Sequence, residues 1–400
     1  MLYSYSFQNR KRDLADILST VVKDEPRFIS NFKTVADATA RKHEWLEDQL
    51  TGRSVTVSGA VVSLVCPASA ADLAKLKVGT LAVKANDSAL FRVTAVGDSN
   101  FTVELAAANG SSTTTPASGD VLNIVSTPMA EGSNPGDGDE TGVTGSADYN
   151  CTQIFRKDII LTGSTLAINV FGNADNQLNR QTAFALAELA RDLNRVALFG
   201  VRAEASASVR GTAGGLYQFG TGAGSLGIDA DGARLESGII NDAAQKIMGA
   251  GGEPTQILCS PGQARVLSGE YKSQLQILRA DDRRGAYVAM IVNEINGRGL
   301  TIMADPDVPD TDVWVLDPTG FGLANLRGRA IADEDATPGG FDGIKRMALG
   351  ELTFEFKNAA QRLCRIHGLQ ASASALSAMR AGTAAEAGAT ESASGSSASL

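Results

Sequence analysis

Histidine is almost missing from this chain. His43 and His367 are the only two in 400 residues, and they lie far apart in sequence. They cannot form the paired ligands of an HExxH zinc hydrolase. Cysteine is scarce too: Cys66, Cys151, Cys259 and Cys364 are well separated and include no CxxC pair. That spacing excludes a zinc ribbon and argues against a disulfide framework, so the four thiols are expected to be reduced and in or near the core. No stretch approaches the ~18 consecutive apolar residues of a membrane-spanning helix. No apolar segment follows Arg10-Lys11-Arg12-Asp13, so no signal peptide is expected and the chain is expected to be made in a cytoplasm. Excess positive charge is also lacking: 36 Lys and Arg face 45 Asp and Glu, for a net charge of −9. A protein that grips nucleic acid by neutralising phosphates shows a basic face, so tight DNA binding is not expected.

What is present is an ordinary globular balance, 43% hydrophobic and 20% charged. The length suits two or three compact units, each with its own core. Near the start, Leu14, Ile17, Leu18 and Val21 recur at helical spacing after Asp13, predicting a short amphipathic helix over 13–23 that Pro26 closes. So short a helix cannot bury its stripe alone and needs another surface. Residues 53–127 change to short alternating runs: Val55-Thr56-Val57, Leu81-Ala82-Val83, Phe91 to Val96, Phe101 to Leu105 and Val121 to Val125, with turn residues such as Gly97-Asp98-Ser99-Asn100 between them. This predicts a small all-β barrel or sandwich. Residues 130–148 carry five acids and no Lys or Arg, and read as a flexible acidic connector.

The longest helix is predicted from Asn173 or Asn176 to Phe199, with Leu186, Leu189, Leu193 and Val196 as its apolar stripe and Gly200 as its stop. At 1.5 Å per residue such a rod runs about 35–40 Å. A Gly-rich loop over 205–232 and a second helix over 234–248 follow. Next come a buried strand at Gln256-Ile257-Leu258-Cys259 and a helix opened by Ser260-Pro261-Gly262-Gln263, which reads as a capping box. Strands are predicted at 300–303 and 313–316. The clearest is in 351–369, where Leu352, Phe354 and Phe356 alternate with Thr353, Glu355 and Lys357, implying one buried face. Residues 371–400 are rich in Ala, Ser and Gly, contain no aromatic, and are expected to be a disordered tail.

The patterns that could carry chemistry fall short of it. Cys364 and His367 are three apart on a strand and so point to opposite faces. Gly222-Ala223-Gly224-Ser225-Leu226-Gly227 matches GxGxxG but lacks the preceding strand and following helix. Asp229-Ala230-Asp231-Gly232 begins like a calcium loop, yet Ile240 stands where a bidentate Glu is required. Asp305, Asp307, Asp310 and Asp312 have no partner base and read as a solvated loop. Asn150-Cys151-Thr152 is a formal glycosylation sequon without meaning in a bacterial cytoplasm. Lys357-Asn358 is no evidence for an isopeptide link, because adjacency is not the geometry such a bond needs. No catalytic, cofactor-binding or metal-binding residue is assigned, and no enzyme activity is expected.

Four stretches in order carry a resemblance: Asp24-Glu25-Pro26-Arg27-Phe28-Ile29-Ser30, Lys42-His43-Glu44-Trp45-Leu46-Glu47-Asp48, Asn150-Cys151-Thr152-Gln153-Ile154-Phe155 leading to Leu161-Thr162-Gly163-Ser164, and Glu188-Leu189-Ala190-Arg191-Asp192. Together they resemble tailed-bacteriophage major capsid proteins with the Hong Kong-97-type fold. The resemblance implies an α+β architecture: an N-terminal arm over 1–50, an extended loop over 51–150 with the β-module inserted at about 67–126, and a peripheral domain over 151–230 built on the long helix as spine. An axial domain over 231–315, completion of the peripheral domain over 316–370, and a tail over 371–400 follow. It further implies a self-assembling virion subunit, in hexamers and pentamers, that encloses double-stranded DNA without sequence-specific binding. Such a subunit assembles in the host cytoplasm, touches no membrane and has scaffolding, portal and decoration proteins as candidate partners. An encapsulin-like shell of the same fold is the nearest competitor. A phage tail or baseplate subunit would share the β-module but not the spine helix, and a small-molecule α/β enzyme lacks support from any histidine or Gly-loop site.

Overall fold

The computed structural model describes residues 27–48, 52–85, 87–108, 115–129, 131–132, 146–168, 177–222, 224–270 and 290–377. The predicted helix at 13–23, most of the acidic connector and the tail beyond residue 377 lie outside the described residues. The chain divides into two units, Leu46–Ala147 and the combination of Met1–Trp45 with Asp148–Leu400. Chain order begins with a 3-10 turn at Phe28–Asn31, then β1 (Lys33–Thr34) and β2 (Lys42–Glu47).

The smaller unit is the predicted β-module. It holds β3 (Ser54–Thr56), β4 (Val65–Pro67), the single-turn α1 (Ala70–Leu73), β5 (Leu81–Lys84), β6 (Leu90–Val96), β7 (Asn100–Ala107) and β8 (Val121–Ser126). The sheet order is β3-β8-β5-β6-β7-β4, with every pairing antiparallel. Just past β3, Ser58 N–H donates to the Pro67 carbonyl of β4 at 2.8 Å. The two edges therefore meet at a corner, and the sheet curls into a small, nearly closed barrel that leaves little open edge. Alternation puts Val55, Phe91, Val93, Phe101, Val103 and Leu122 inside. Each buried Phe contributes about 1.5–3 kcal/mol of apolar transfer. The β6–β7 turn at 97–100 closes with Gly97 N–H to the Asn100 carbonyl at 2.8 Å. One expectation needs correcting: the module does not begin near 67. Val55 on β3 and Cys66 on β4 are core residues, so the barrel starts at Ser54.

In the larger unit, β9 (Ser146–Cys151) pairs with β2, and β10 (Gln153–Thr162) follows. After α2 (Gly163–Ala167) comes α3 (Gln177–Phe199), whose 23 residues make a rod of about 35 Å. Its start upstream of Gln177 lies outside the described residues, and it stops at Gly200 as predicted. A Cβ on Gly200 would sit 2.3 Å from the Ala213 carbonyl, so only glycine fits where the chain leaves the helix. The buried stripe is Ala185, Leu189, Leu193 and Ala197, with Leu198 beside it. Leu186, expected on that stripe, is instead 41% exposed. Burial recurs here every four residues, and Leu186 falls just off that line.

Next come α4 (Leu216–Gly220), β11 (Leu226–Asp229), α5 (Ser237–Gly249), β12 (Gln256–Cys259), α6 (Pro261–Glu270), β13 (Met290–Val292), β14 (Gly299–Ala304) and β15 (Val313–Leu316). The chain then adds β16 (Phe321–Asn325), β17 (Ala332–Asp335), β18 (Gly343–Phe356), α7 (Ala359–Arg362) and β19 (Leu363–His367). Two sheets result. One runs β1-β16-β18-β10 with β17 also on β18, and its β10–β18 ladder is ten residue pairs long. The other runs β11-β19-β15-β12-β14-β13. The strands at its centre are buried on both faces. Val313, Val315, Ile257 and Cys259 enter the core shared with α5 and α6, while Trp314, Leu316 and Leu258 enter the core shared with α3. Period-two packing between two cores explains why these strands read as continuous apolar runs.

Three expectations change here. The stretch 351–369 is not one strand but the end of β18, the turn α7, and β19. Nor does β18 have a solvent face near its end: Glu351, Thr353 and Glu355 are all buried. The second sheet takes in β11 and β19 as well as β12 to β15, because β19 pairs with both β11 and β15. Finally, residues 371–377 are not part of a disordered tail. Residues 372–377 form a helical turn with Ala375 fully buried and Leu376 packed against the second core. A small buried alanine, with Leu376 beside it, docks the turn without a broad apolar stripe.

Candidate functional site

The loop between β14 and β15 carries the four aspartates at 305, 307, 310 and 312. It is a junction of buried ties rather than a solvated loop. Asp305 is fully buried. Its Oδ2 accepts from Phe28 N–H (3.1 Å) and Asn194 Nδ2 (3.0 Å), and its Oδ1 accepts from Asp307 N–H (2.9 Å). Asn194, buried in α3, accepts Ile29 N–H at 3.1 Å. Asp307 takes Asn194 Nδ2 (3.1 Å) and Arg195 Nε (2.9 Å). The N-terminal strap at 28–29, the long helix and the loop are thus locked together. Phe28 and Phe32 then pack edge-on, 5.4 Å apart, beside Phe321 and Phe356.

Asp312 accepts from Tyr217 Oη (2.8 Å) and Arg365 Nη2 (2.7 Å), linking α4 to β19. Burial, reinforced by this carboxylate, pushes the Tyr217 hydroxyl pKa well up. Asp310 accepts from Ser260 Oγ (2.6 Å) and Ser372 N–H (2.6 Å). Burial works against its charged form, but these donors outweigh burial and hold its pKa below the ordinary value. Ser260 also caps α6, accepting Gln263 N–H at 3.1 Å. The reciprocal half of the predicted capping box is absent: Gln263 Nε2 donates instead to the carbonyls of Asp310 (2.6 Å) and Gln370 (2.9 Å). The signal that could have exposed this junction was the interleaving of the aspartates with Pro306 and Pro309. That is turn chemistry in which carboxylates take local and incoming N–H groups.

The stretches that carried the resemblance have physical duties. Asn150 is fully buried, donates to the carbonyls of Gly214 (3.0 Å) and Phe354 (2.8 Å), and accepts from Gly214 N–H (2.7 Å) and Cys151 N–H (2.8 Å). No glycan can reach it. Thr152 Oγ1 donates to buried Glu351 (2.7 Å), and Gln153 accepts Ala213 N–H (3.1 Å). His43 Nε2 lies 2.5 Å from Glu355 Oε1, and Lys357 Nζ lies 2.8 Å from its Oε2. Burial opposes ionisation of Glu355, yet the His43 and Lys357 contacts prevail and lower its pKa. Lys357 is thereby engaged by a carboxylate, while its neighbour Asn358 starts α7 with φ of 53°.

All four cysteines are buried and free. Burial pushes the Cys66 and Cys364 thiols up to about 11 and Cys259 up to about 12, values at which a thiolate is negligible. The GxGxxG stretch follows α4 and runs into β11, so no helix N-terminus faces it. Asp229 and Asp231 form a local turn, with Asp231 N–H bonded to Asp229 Oδ1 at 3.1 Å, and Ile240 is buried in α5. Among the described residues no three His, Cys, Asp or Glu side chains could together hold a metal ion, and no helix is long and apolar enough to cross a membrane. A cavity of about 650 Å³ opens where β9 meets β10, walled by the 204–212 loop, Arg41, Arg329 and Glu351.

Two sheets sharing a core with one long helix, plus a barrel carried on the connection from β2 to β9, match the architecture of capsid-shell subunits. A native GTA particle capsid aligns with a TM-score of 0.51 at 10% identity, covering 92% of this chain and 97% of that one. An empty GTA particle capsid aligns at 0.50 and 10%, covering 93% and 100%. A protein of Mycobacterium phage Bobi aligns at 0.47 and 13%, covering 90% and 95%. At such identities the likeness shows the fold, which is the Hong Kong-97-like capsid fold. No curated protein matches the chain. Residues 2–370 match the family described as SU10 major capsid protein, and the chain belongs to that family. It is a major capsid protein, a structural subunit of a virion shell.

Proposed function

We propose that copies of this subunit close into an icosahedral head of hexamers and pentamers that encloses phage double-stranded DNA without reading its sequence, and that the subunit catalyses no reaction. The head assembles in the host bacterial cytoplasm, with scaffolding, portal and decoration proteins as partners. Residues 1–50 are the arm, and the barrel rides on the extended loop. The sheet of β1, β16, β18 and β10 with α3 is the peripheral domain, and the sheet of β11 to β15 with β19 is the axial domain. The observation that carries this reading is the family match over 2–370. The net charge of −9 supports a passive container, since such a wall does not hold DNA by neutralising its phosphates. The test is to purify particles from phage-producing cells, digest with nuclease and measure what is protected. Protected double-stranded DNA of uniform length supports the reading. Closed shells holding protein cargo and no DNA overturn it in favour of an encapsulin-like compartment.

A further inference from the structure

The cavity of about 650 Å³ at the β9–β10 junction has a wall rich in donors and poor in free acceptors. Its charged residues are three arginines, Arg41, Arg210 and Arg329, and two acids, Glu204 and Glu351. Glu351 is already engaged: it is buried, its Oε2 lies 3.1 Å from Arg329 Nε, and Thr152 Oγ1 donates to its Oε1. Glu204 also acts on a cation outside the wall. The Lys42 ammonium pKa is held above its ordinary value, first by Glu44 and in smaller part by Tyr149 and Glu204. Among the described residues the side chains of Arg41 and Arg210 have no partner, and both residues are exposed. Two further donors join them. Gln153 gives its carbonyl oxygen to Ala213 N–H (3.1 Å), and Ser206 gives its hydroxyl oxygen to Val209 N–H (3.2 Å). The Gln153 NH2 group and the Ser206 hydroxyl hydrogen therefore remain to donate.

The wall is also preformed. Thr152 N–H bonds to the Arg41 carbonyl at 2.8 Å, and the 203–212 hairpin is closed by reciprocal 3.0 Å bonds between Ala203 and Thr212. That hairpin sits tightly on the junction: a Cβ on Gly211 would lie 3.1 Å from the Thr152 carbonyl. Arg41 directly precedes β2 and Arg210 belongs to the hairpin, so the two guanidinium forks come from separate elements. Free donors without matching acceptors suit a ligand that only accepts hydrogen bonds and carries negative charge. Phosphate meets both demands, and its oxygens can take two separate forks at once, whereas a carboxylate has only two oxygens to share. The cavity falls in the range of roughly 300–1,000 Å³ typical of small-molecule pockets. Duplex DNA spreads its charge along its length, and gripping it takes a run of cations rather than one recess. We propose that this pocket binds inorganic phosphate or the phosphate group of a small monoester, with Arg41 and Arg210 as the residues that hold it. The site is complete within one chain and does not depend on shell assembly.

The test is isothermal titration calorimetry of the full-length chain with inorganic phosphate. Saturable binding at one site per chain is expected. Arg41→Gln with Arg210→Gln should weaken it about tenfold or more, since each guanidinium supplies charge-assisted bonds. Arg265→Gln, which removes an exposed arginine on α6 away from the cavity, should leave it unchanged. Far-UV circular dichroism should match the parent chain; if the double variant misfolds, Arg210→Gln alone, on the exposed hairpin, is read in its place. No saturable binding, or equal losses in the pocket and α6 variants, overturns the proposal. Acetate binding as tightly as phosphate overturns it in favour of a carboxylate site. Displacement of phosphate by short duplex DNA overturns it in favour of a nucleic-acid surface. The chain's own acids are the remaining rival occupant. Asp137→Asn with Asp139→Asn and Glu140→Gln should leave phosphate affinity unchanged, and a tightening of about tenfold would assign the pocket to that segment instead. Because calorimetry reads the ligand and not the particle, failure here leaves the shell reading standing.

Discussion

Leu186 and Leu189 lie on the same helix, three residues apart, and the structure separates them sharply. Leu189 is 3% exposed and packs in the core built from α3, β18 and β15, whereas Leu186 is 41% exposed. Leu→Ala at either position changes helix propensity equally and slightly in favour of Ala, so the difference between the two variants isolates burial. At Leu189 the loss combines apolar transfer with a cavity that rigid neighbours cannot fill, a cost of about 2–5 kcal/mol. At Leu186 the side chain keeps much of its water contact in the folded state, and the cost should stay within about 1 kcal/mol. Urea unfolding of the disassembled subunit, followed by tryptophan fluorescence, reads the difference directly. Trp314 and Trp45 both belong to the affected core. Equal destabilisation by the two variants would mean that the buried line of α3 is not the one through Ala185, Leu189, Leu193 and Ala197.

Three further outcomes follow from particular contacts. Ending the chain after Ser377 should leave the melting temperature unchanged, whereas ending it after Gln370 removes the Ser372 tie to Asp310 and the buried Ala375 and should lower it by several degrees, measured by scanning calorimetry. The folded-state pKa of Asp310 is depressed below its ordinary 3.8, so its contribution is fully present above that value and is lost as pH falls through the folded value. The stability gap between the parent and Asp310→Asn, read from melts across pH 2–7, should therefore be widest near neutrality and narrow below about pH 4; a gap that widens in acid contradicts the assignment. The four buried thiols, raised by burial, should resist iodoacetamide at pH 8 in the folded protein and react fully in denaturant. Rapid labelling of any one in native protein, by mass spectrometry, would show that its burial is misplaced.

Much of the fold was legible because its elements carry strong period signals. The strands of the barrel alternate, α3 and α5 show helical stripes, and Gly200 and Ser260 punctuate them where expected. What escaped was set by long-range packing. Glu351 and Glu355 look like a solvent face in sequence, yet Arg329 on one side and His43 with Lys357 on the other bury them as satisfied charges. Asp305 looks like loop chemistry until Phe28 and Asn194, distant in sequence, are brought to it. Ala375 sits in a Ser- and Ala-rich stretch whose composition hides one well-fitted contact. The pocket was equally hidden, since Arg41, Arg210 and Arg329 converge only through the tertiary fold.

The most direct test is cryo-electron microscopy of the material that sediments when the chain is expressed, with a scaffold partner supplied. The account predicts closed shells whose wall density accepts the two-sheet body with α3 and a separate barrel density at each subunit position. Particles whose subunit density cannot hold that body, or a protein that remains small and dispersed under all such conditions, would contradict it.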